Sequence, residues 1–516
     1  MKKIQKRQTF YLSFFSKVVT GFIFFLVYSF ALEQSVKDEI FTKETVEDAA
    51  PIKTNKTIKI SLDADSPGYT ISPYLFGCNL YYIGFTNNEY FNKANPGHDY
   101  VNNPAHDQLA VKYMKESGVT FFRIWLQNLF DIYSFGGSDN KAGDPICPSE
   151  GAQCNFTRAD EFIEALNGLG IEISLMVSLY CPEWLSTKRD RPDGKGDKFW
   201  NNHRSPPKDN QKWAQIIAGL VKHYNYEKKF DIKNWEIGNE PDGERTEYWI
   251  NGSFDEFVEY FKVVAKTLRS VYPAIQLSGP TTAGTDHMTY KGSGKNWLES
   301  FLNECGTYLD ICSFNKYSTG DISTKIIQVK SYLQNNHLEK MPIYIPEHNI
   351  LTNSKEPQTN FFNTVSIVKR YKCYMENGIL RAAFFGWDAK IHGMLDLQTY
   401  EARPAYHCFR MFAALGNFKN GRVISNYCAN TNITVASCSH QDNMGFSVVI
   451  GSEEDTDTMK VELFFKNQNG NYELTSYQYT PQNNIKKLKV QMINLNDLIR
   501  LSFPGKSISL FIFRKK

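Results

Sequence analysis

The sequence predicts an eight-stranded (β/α)8 barrel followed by a β-sandwich. Three observations carry that prediction. Between residues 75 and 415, eight short apolar runs alternate with amphipathic helical patterns. Such alternation means a parallel sheet covered on both faces, and a count of eight means closure. After Asn417 the helical period disappears and short β-like runs separated by turn residues replace it, as in an all-β sandwich. Finally, two of the apolar runs end in a glutamate, Asn234-Trp235-Glu236-Ile237-Gly238-Asn239-Glu240-Pro241 and Pro342-Ile343-Tyr344-Ile345-Pro346-Glu347-His348-Asn349. The carboxyl ends of barrel strands are where such folds hold their chemistry.

The elements follow in order. Barrel strands are expected at 74–79, 119–125, 171–179, 233–237, 275–278, 309–314, 341–345 and 380–385. Helices are expected at 105–117, 158–169, 210–224, 254–271, 324–335, 361–376 and 405–415. Gly118, Gly170, Gly378 and Gly416 follow four of them, where a left-handed C-cap would stop a helix. Pro273 stops another. An open doubly wound sheet is the competing arrangement, but no glycine-rich phosphate loop follows the first strand. The run at 57–62 has the β character of the C-terminal part and is expected to join the sandwich. The resulting division is a leader at 1–32, a linker at 33–56, a sandwich strand at 57–73, the barrel at 74–417 and the sandwich at 418–516.

The leader has Lys2, Lys3, Lys6, Arg7 and Lys17 ahead of an uncharged stretch at 18–32, with Ser29 and Ala31 as small residues for cleavage. This is the pattern of a secretory signal peptide. A membrane anchor is the alternative, because the apolar residues at 10–15 lengthen the span. The expected location is therefore outside the cytoplasm: secreted, periplasmic or at the cell surface. The 58 basic and 55 acidic residues leave a net charge of +3, which gives nucleic acid no electrostatic footprint. Of the ten cysteines, Cys147 and Cys154 flank a short loop and are expected to form a disulfide, and Cys428 and Cys438 are candidates to bridge a hairpin. No paired CxxC or CxxxH spacing occurs, so no metal and no cofactor is expected.

Pro241 denies a sheet an amide and turns the chain at Glu240. Glu240 and Glu347 thus fall at the ends of the fourth and seventh strands. Hydrolysis of a glycosidic bond needs one protonated acid at the leaving oxygen and one carboxylate across the anomeric carbon. In a retaining enzyme the two lie about 5–5.5 Å apart, and mutual repulsion keeps the acid protonated. Surface salt-bridge partners are the bland alternative for a single Asn-Glu-Pro, but not for two strand-end carboxylates in this placement.

The run Trp235-Glu236-Ile237-Gly238-Asn239-Glu240-Pro241 resembles that of the retaining glycoside hydrolases of clan A, the 4/7 barrels, with families 39, 51, 79 and 30 nearest. The resemblance covers residues 57–516. It implies Glu240 as acid/base, Glu347 as nucleophile and Asn239 as partner of the sugar 2-hydroxyl. It also implies Arg123 beneath the nucleophile, Tyr317 as its hydrogen-bond donor and Trp387 as sugar platform. Trp184 is a further candidate for stacking on sugar, and His348 for a polar contact beside Glu347. Two positions depart from the pattern: Asn315 stands where a His is usual on strand six, and Pro346 precedes Glu347 where Thr is usual. The implied activity is cleavage of β-glycosidic bonds in a polysaccharide or oligosaccharide, endo or exo. A non-hydrolytic glycan binder and a transglycosylase on the same scaffold are the alternatives.

Overall fold

The computed structural model describes residues 57–65, 68–80, 104–125, 149–150, 157–177, 181–191, 194, 198–242, 248–285, 296–318, 322–350, 361–387, 392–396, 399–454, 456 and 458–516. The leader, the linker, Cys147, Cys154 and most of the long loops that follow the barrel strands lie outside this set. No helix among the described residues is long and apolar enough to cross a membrane.

The chain enters through β1 (Thr57–Asp63), and the barrel begins with β2 (Gly77–Leu80). Then come α1 (Pro104–Ser117), β3 (Phe121–Trp125), α2 (Thr157–Asn167), β4 (Glu172–Val177), α3 (Lys198–Arg204), α4 (Asn210–Lys222) and β5 (Asn234–Ile237). The second half holds α5 (Phe254–Val271), β6 (Gln276–Thr282), α6 (Trp297–Cys305), β7 (Ile311–Phe314), β8 (Lys316–Tyr317), α7 (Ser323–Asn335), β9 (Ile343–Asn349), α8 (Phe361–Glu376), β10 (Arg381–Phe384) and α9 (Pro404–Arg410). All barrel pairings are parallel, and β10 pairs with both β9 and β2, which closes the ring. β8 continues β7 after Asn315 and pairs with the end of β9.

Local sequence explains the elements. In α5, Ser253 and Glu256 form a reciprocal capping box, and Phe257, Phe261, Val264 and Leu268 recur at helical spacing on its buried face. Gly118, Gly170 and Gly378 have φ of +76°, +69° and +67°, the left-handed conformation that ends a helix. Gly416 does not: its φ is −86°, because α9 gives way to a wider π turn at Met411–Leu415 before it. Two short helices, α3 and α6, went unpredicted. α3 is only seven residues long and polar, whereas α6 carries a regular apolar stripe, Trp297, Leu298, Phe301, Leu302 and Cys305, that the sequence reading passed over.

The inner barrel is filled at one end by Phe121, Ile311, Tyr344 and Ala383. Arg381 lies over the Tyr74 and Phe121 rings and pairs with Glu172 at 2.6 Å. Trp125 and Met176 pack at the other end, with Phe385 and Tyr248 against them. The main core lies outside the sheet, beneath the helices.

The remaining strands are β11 (Arg422–Val423), β12 (Ser425–Cys428), β13 (Ile433–Ser439), β14 (Gly445–Glu453), β15 (Met459–Lys466), β16 (Asn471–Thr480), β17 (Asn483–Lys487), β18 (Gln491–Asn494), β19 (Ile499–Phe503) and β20 (Lys506–Lys515). They form a four-stranded sheet, β12-β1-β15-β19, and a seven-stranded sheet built on β11-β13-β14-β20-β16-β17, with β18 beside β16. β1 lies antiparallel to β12 and parallel to β15, so the segment before the barrel belongs to the C-terminal sheet. Ile58, Ile60 and Leu62 share one core with Val461 and Leu463 of the neighbouring β15 and with Val448 of the other sheet. The bridge expected between Cys428 and Cys438 is not made. Cys428 pairs with Ile60 in the four-stranded sheet and Cys438 with Val423 and Ser447 in the seven-stranded one, so they are not facing partners of one hairpin. All eight cysteines among the described residues are free thiols.

Candidate active site

β3 delivers the centre of the site. Its residues alternate, Phe121, Arg123 and Trp125 inward and Phe122 and Ile124 toward the helices. Arg123 is fully buried. Its Nε donates to Glu236 at 3.0 Å and its Nη2 to the other oxygen of Glu236 at 2.6 Å. Nη2 also donates to Asn239 Oδ1 at 3.0 Å, and Nη1 donates to Glu347 at 2.6 Å and to Asn79 Oδ1 at 2.8 Å. The guanidinium, carried by the second barrel strand, is thus a fork that ties it to the first, fourth and seventh. Burial opposes its charge, but Glu236 and Glu347 outweigh burial and hold it above the usual arginine range.

Glu347 reaches this fork because β9 is bulged. Ile345 pairs with Ala382 and His348 with Phe384, so three steps on β9 oppose two on β10. The extra residue resets the alternation. Ile345 and His348 both face the helices, while Glu347 between them faces Arg123. Pro346 fits here because a bulge needs no ladder donor from it, and its carbonyl accepts from Asn79 Nδ2 at 2.8 Å. The second oxygen of Glu347 accepts from the Tyr317 hydroxyl at 2.8 Å. Burial, then the Glu347 charge, pushes that phenol well above its ordinary range, which keeps it a donor.

Glu240 sits just beyond β5, past Gly238 at φ +97°, and itself has φ +47°. A left-handed backbone is uncommon for a residue with a side chain. Its amide donates to Thr281 O at 2.7 Å, which anchors the turn. Thr281 is the extra residue of a second bulge, between Pro280 and Thr282 on β6, and its hydroxyl donates to Glu236 at 2.9 Å. Asn315 Nδ2 donates to Glu240 at 2.9 Å. Burial, reinforced by the negative charge of Glu347, pushes the Glu240 carboxyl up to about 8, with the Asn315 bond pulling against them. The two carboxylates therefore share one end of the barrel and differ in role-setting environment: Glu347 accepts two strong donors, and Glu240 is held as an acid.

Asn239 is buried, its Oδ1 on Arg123 and its Nδ2 without a protein partner. That leaves a buried donor on a residue that shares Arg123 with Glu347 and precedes Glu240. Two expectations, for His348 and Trp387, are corrected. His348 does not face the site: the bulge turns it outward, onto the Tyr371, Tyr374 and Phe384 rings. Trp387 packs outside the sheet on Phe122 and Tyr406. β10 ends at Phe384, so the two-residue alternation stops before Trp387, and Phe385 takes the inward position, 6.1 Å from the Tyr317 ring. Trp184, in the connection after β4, is packed against the outer core with Lys212 of α4 over its ring at 5.7 Å. Glu236, Asn79 and Thr281 went unpredicted as members of the site. A charged residue inside the wholly buried strand Asn234–Ile237 was the available signal for Glu236. Among the described residues no cluster of His, Cys, Asp and Glu has the arrangement of a metal site.

Fold and site together define a 4/7 barrel of the glycoside-hydrolase kind, with one carboxylate after the fourth strand and one in the seventh. The chain belongs to glycosyl hydrolases family 39, whose family model matches residues 59–454. A β-xylosidase from Geobacillus stearothermophilus is 23% identical over 319 residues, 52% of this chain and 58% of its own length. A β-xylosidase from Caldicellulosiruptor saccharolyticus is 25% identical over 170 residues, 32% of this chain and 31% of its own. The chain thus spans little more than half of the first relative and about a third of the second. Among solved structures, a glucosidase from Croceicoccus marinus superposes with a TM-score of 0.65 at 14% identity, covering 90% of this chain and 99% of that one. At that identity the likeness is one of fold.

Proposed function

We propose that this protein is an exported retaining glycoside hydrolase that cleaves β-glycosidic bonds in an oligosaccharide or polysaccharide by double displacement. The observation that carries the reading is the division of labour between two carboxylates at one barrel end. Glu347 accepts from Arg123 and Tyr317, and Glu240 is raised to about 8. In the first step a Glu347 oxygen attacks the anomeric carbon while Glu240 gives its proton to the departing glycosidic oxygen. In the second, Glu240 takes a proton from water, water attacks the same carbon from the vacated face, and Glu347 leaves as carboxylate. Asn239 Nδ2 is available to a sugar hydroxyl. Phe385 offers the ring face on which a pyranose C–H surface stacks. Because the sequence relatives are β-xylosidases, β-xylosides are the first substrates to try. Export rests on the leader pattern, and cell fractionation checks it.

The test is purified protein on aryl β-glycosides and xylo-oligosaccharides, with the product anomer read by NMR at early times. Release of the β-anomer supports the proposal. Release of the α-anomer replaces double displacement with inversion. Saturable binding without any product restores the glycan-binding alternative, and transfer products in place of free sugar would mark a transglycosylase.

A further inference from the structure

Behind Glu347, on the helix side of the barrel wall, lies a polar cluster that the proposed chemistry does not use. α8 turns Arg370, Tyr371 and Tyr374 inward, three positions that share a face at i, i+1 and i+4. The two tyrosines meet His348, which the β9 bulge turns outward, and the Arg370 charge bears on the same imidazole. The His348 ring lies 5.1 Å from Tyr374 and 5.8 Å from Tyr371, and the two tyrosine rings are 6.1 Å apart. All four side chains are essentially inaccessible to solvent. Six of their polar atoms have no partner among the described residues: Arg370 Nε and Nη2, both phenol oxygens and both imidazole nitrogens.

The inventory is donor-rich and carries one positive charge. A guanidinium only donates and stays protonated, and two phenols and one neutral imidazole each have a hydrogen to give. Arg370 makes one bond, from Nη1 to Ser318 O at 2.8 Å, and no ion pair among the described residues. The nearby Cys408 thiol is pushed up by burial and supplies no charge. A buried guanidinium without an anion is costly. Water would satisfy the hydrogen bonds but leave the charge. A small, weakly hydrated anion satisfies both.

We propose that Arg370, His348, Tyr371 and Tyr374 form a buried binding site for a monovalent halide, chloride in practice, packed between α8 and the wall of the barrel. The site is one residue from the reacting groups on each side. Arg370 holds Ser318, next to Tyr317, and His348 follows Glu347. Ser318 N also donates to Asn349 O at 2.9 Å, so the anion would brace the β8–β9 edge that carries both groups.

The test uses the full-length protein. Crystals grown or soaked in sodium bromide, with data collected at the bromine edge, should show an anomalous peak in contact with Arg370. In solution, chloride should raise Tm by a few degrees and saturate, while gluconate at equal ionic strength should not. Arg370→Met should lose that chloride-specific rise. If Arg370→Met does not fold, the paired change Tyr371→Phe and Tyr374→Phe should weaken it at least severalfold in midpoint. No bromide peak at Arg370, or equal Tm in chloride and gluconate, overturns the proposal. So does a chloride response that survives these substitutions.

Discussion

Asn315 donates to Glu240 across the barrel mouth at 2.9 Å. The relationship decides how the acid titrates. A neutral amide stabilises the ionised carboxylate without changing its own charge, so it lowers the Glu240 pKa at every pH. Removing it in Asn315→Ala should let burial and Glu347 dominate further. The alkaline limb of kcat/KM should move to higher pH than in the parent. A limb that stays in place would mean that Asn315 has no hold on the acid.

In the parent enzyme that alkaline limb should fall near pH 8, the value to which Glu240 is raised, because the reactive form carries the proton below it. Aryl glycosides with good leaving groups need no protonation in the first step. Their glycosylation rate, taken from pre-steady-state bursts, should lack the limb. A limb of equal size for both substrate types would assign it to some other group.

The same carboxyl makes a stability prediction. Its folded pKa lies above the unfolded 4.5, so the native state retains a proton that the unfolded chain releases. Below about pH 4.5 the group is neutral in both states and costs nothing by linkage. Between there and about pH 8 stability is lost as pH rises. Glu240→Gln removes the titration, so its Tm advantage over the parent should grow from pH 4.5 to 8 and then level. A difference independent of pH would contradict the buried, charge-repelled placement of Glu240.

Glu236 and Tyr317 test the frame around the nucleophile. Glu236→Gln leaves Arg123 buried with half its fork unpaired, a loss of about 3–5 kcal/mol by comparison with other broken buried pairs, readable as a lower denaturation midpoint. Tyr317→Phe deletes one donor to Glu347 and should lower kcat about ten- to a hundredfold, the worth of a hydrogen bond to a charged group, with fold and Tm nearly intact. A Tyr317→Phe enzyme with parental kcat would remove that bond from the mechanism.

The barrel, the sandwich and the strand-end places of Glu240 and Glu347 were legible because they follow from periodicity and from strands ending in polar residues, whereas Arg123, Tyr317 and Asn239 were named only through the resemblance of their motifs to the clan. Two of the errors arise where periodicity breaks. His348 was expected beside Glu347 in the site, yet one inserted residue on β9 sends it to the opposite face. Trp387 was named as the sugar platform through the resemblance, but the strand stops three residues before it, and Phe385 holds the inward position instead. Nothing in the local run marks either event before the partner strand is known. Pro346 is the nearest to a signal, since a proline in a central strand argues for a bulge. Cys428 and Cys438 failed for a related reason: chain proximity gives no warning that β12 and β13 join different sheets.

The central claim is that Glu347 attacks and Glu240 supplies and recovers the proton. The anomeric configuration of azide adducts reads both roles in one measurement. With an activated β-glycoside, Glu240→Ala should be rescued by azide to the β-glycosyl azide, because the anion replaces water on a Glu347-linked intermediate. Glu347→Ala should be rescued only to the α-glycosyl azide, by direct displacement on the substrate. Products of opposite configuration from the two variants are the predicted result. The same configuration from both, or parental activity in either variant without azide, would contradict the assignment.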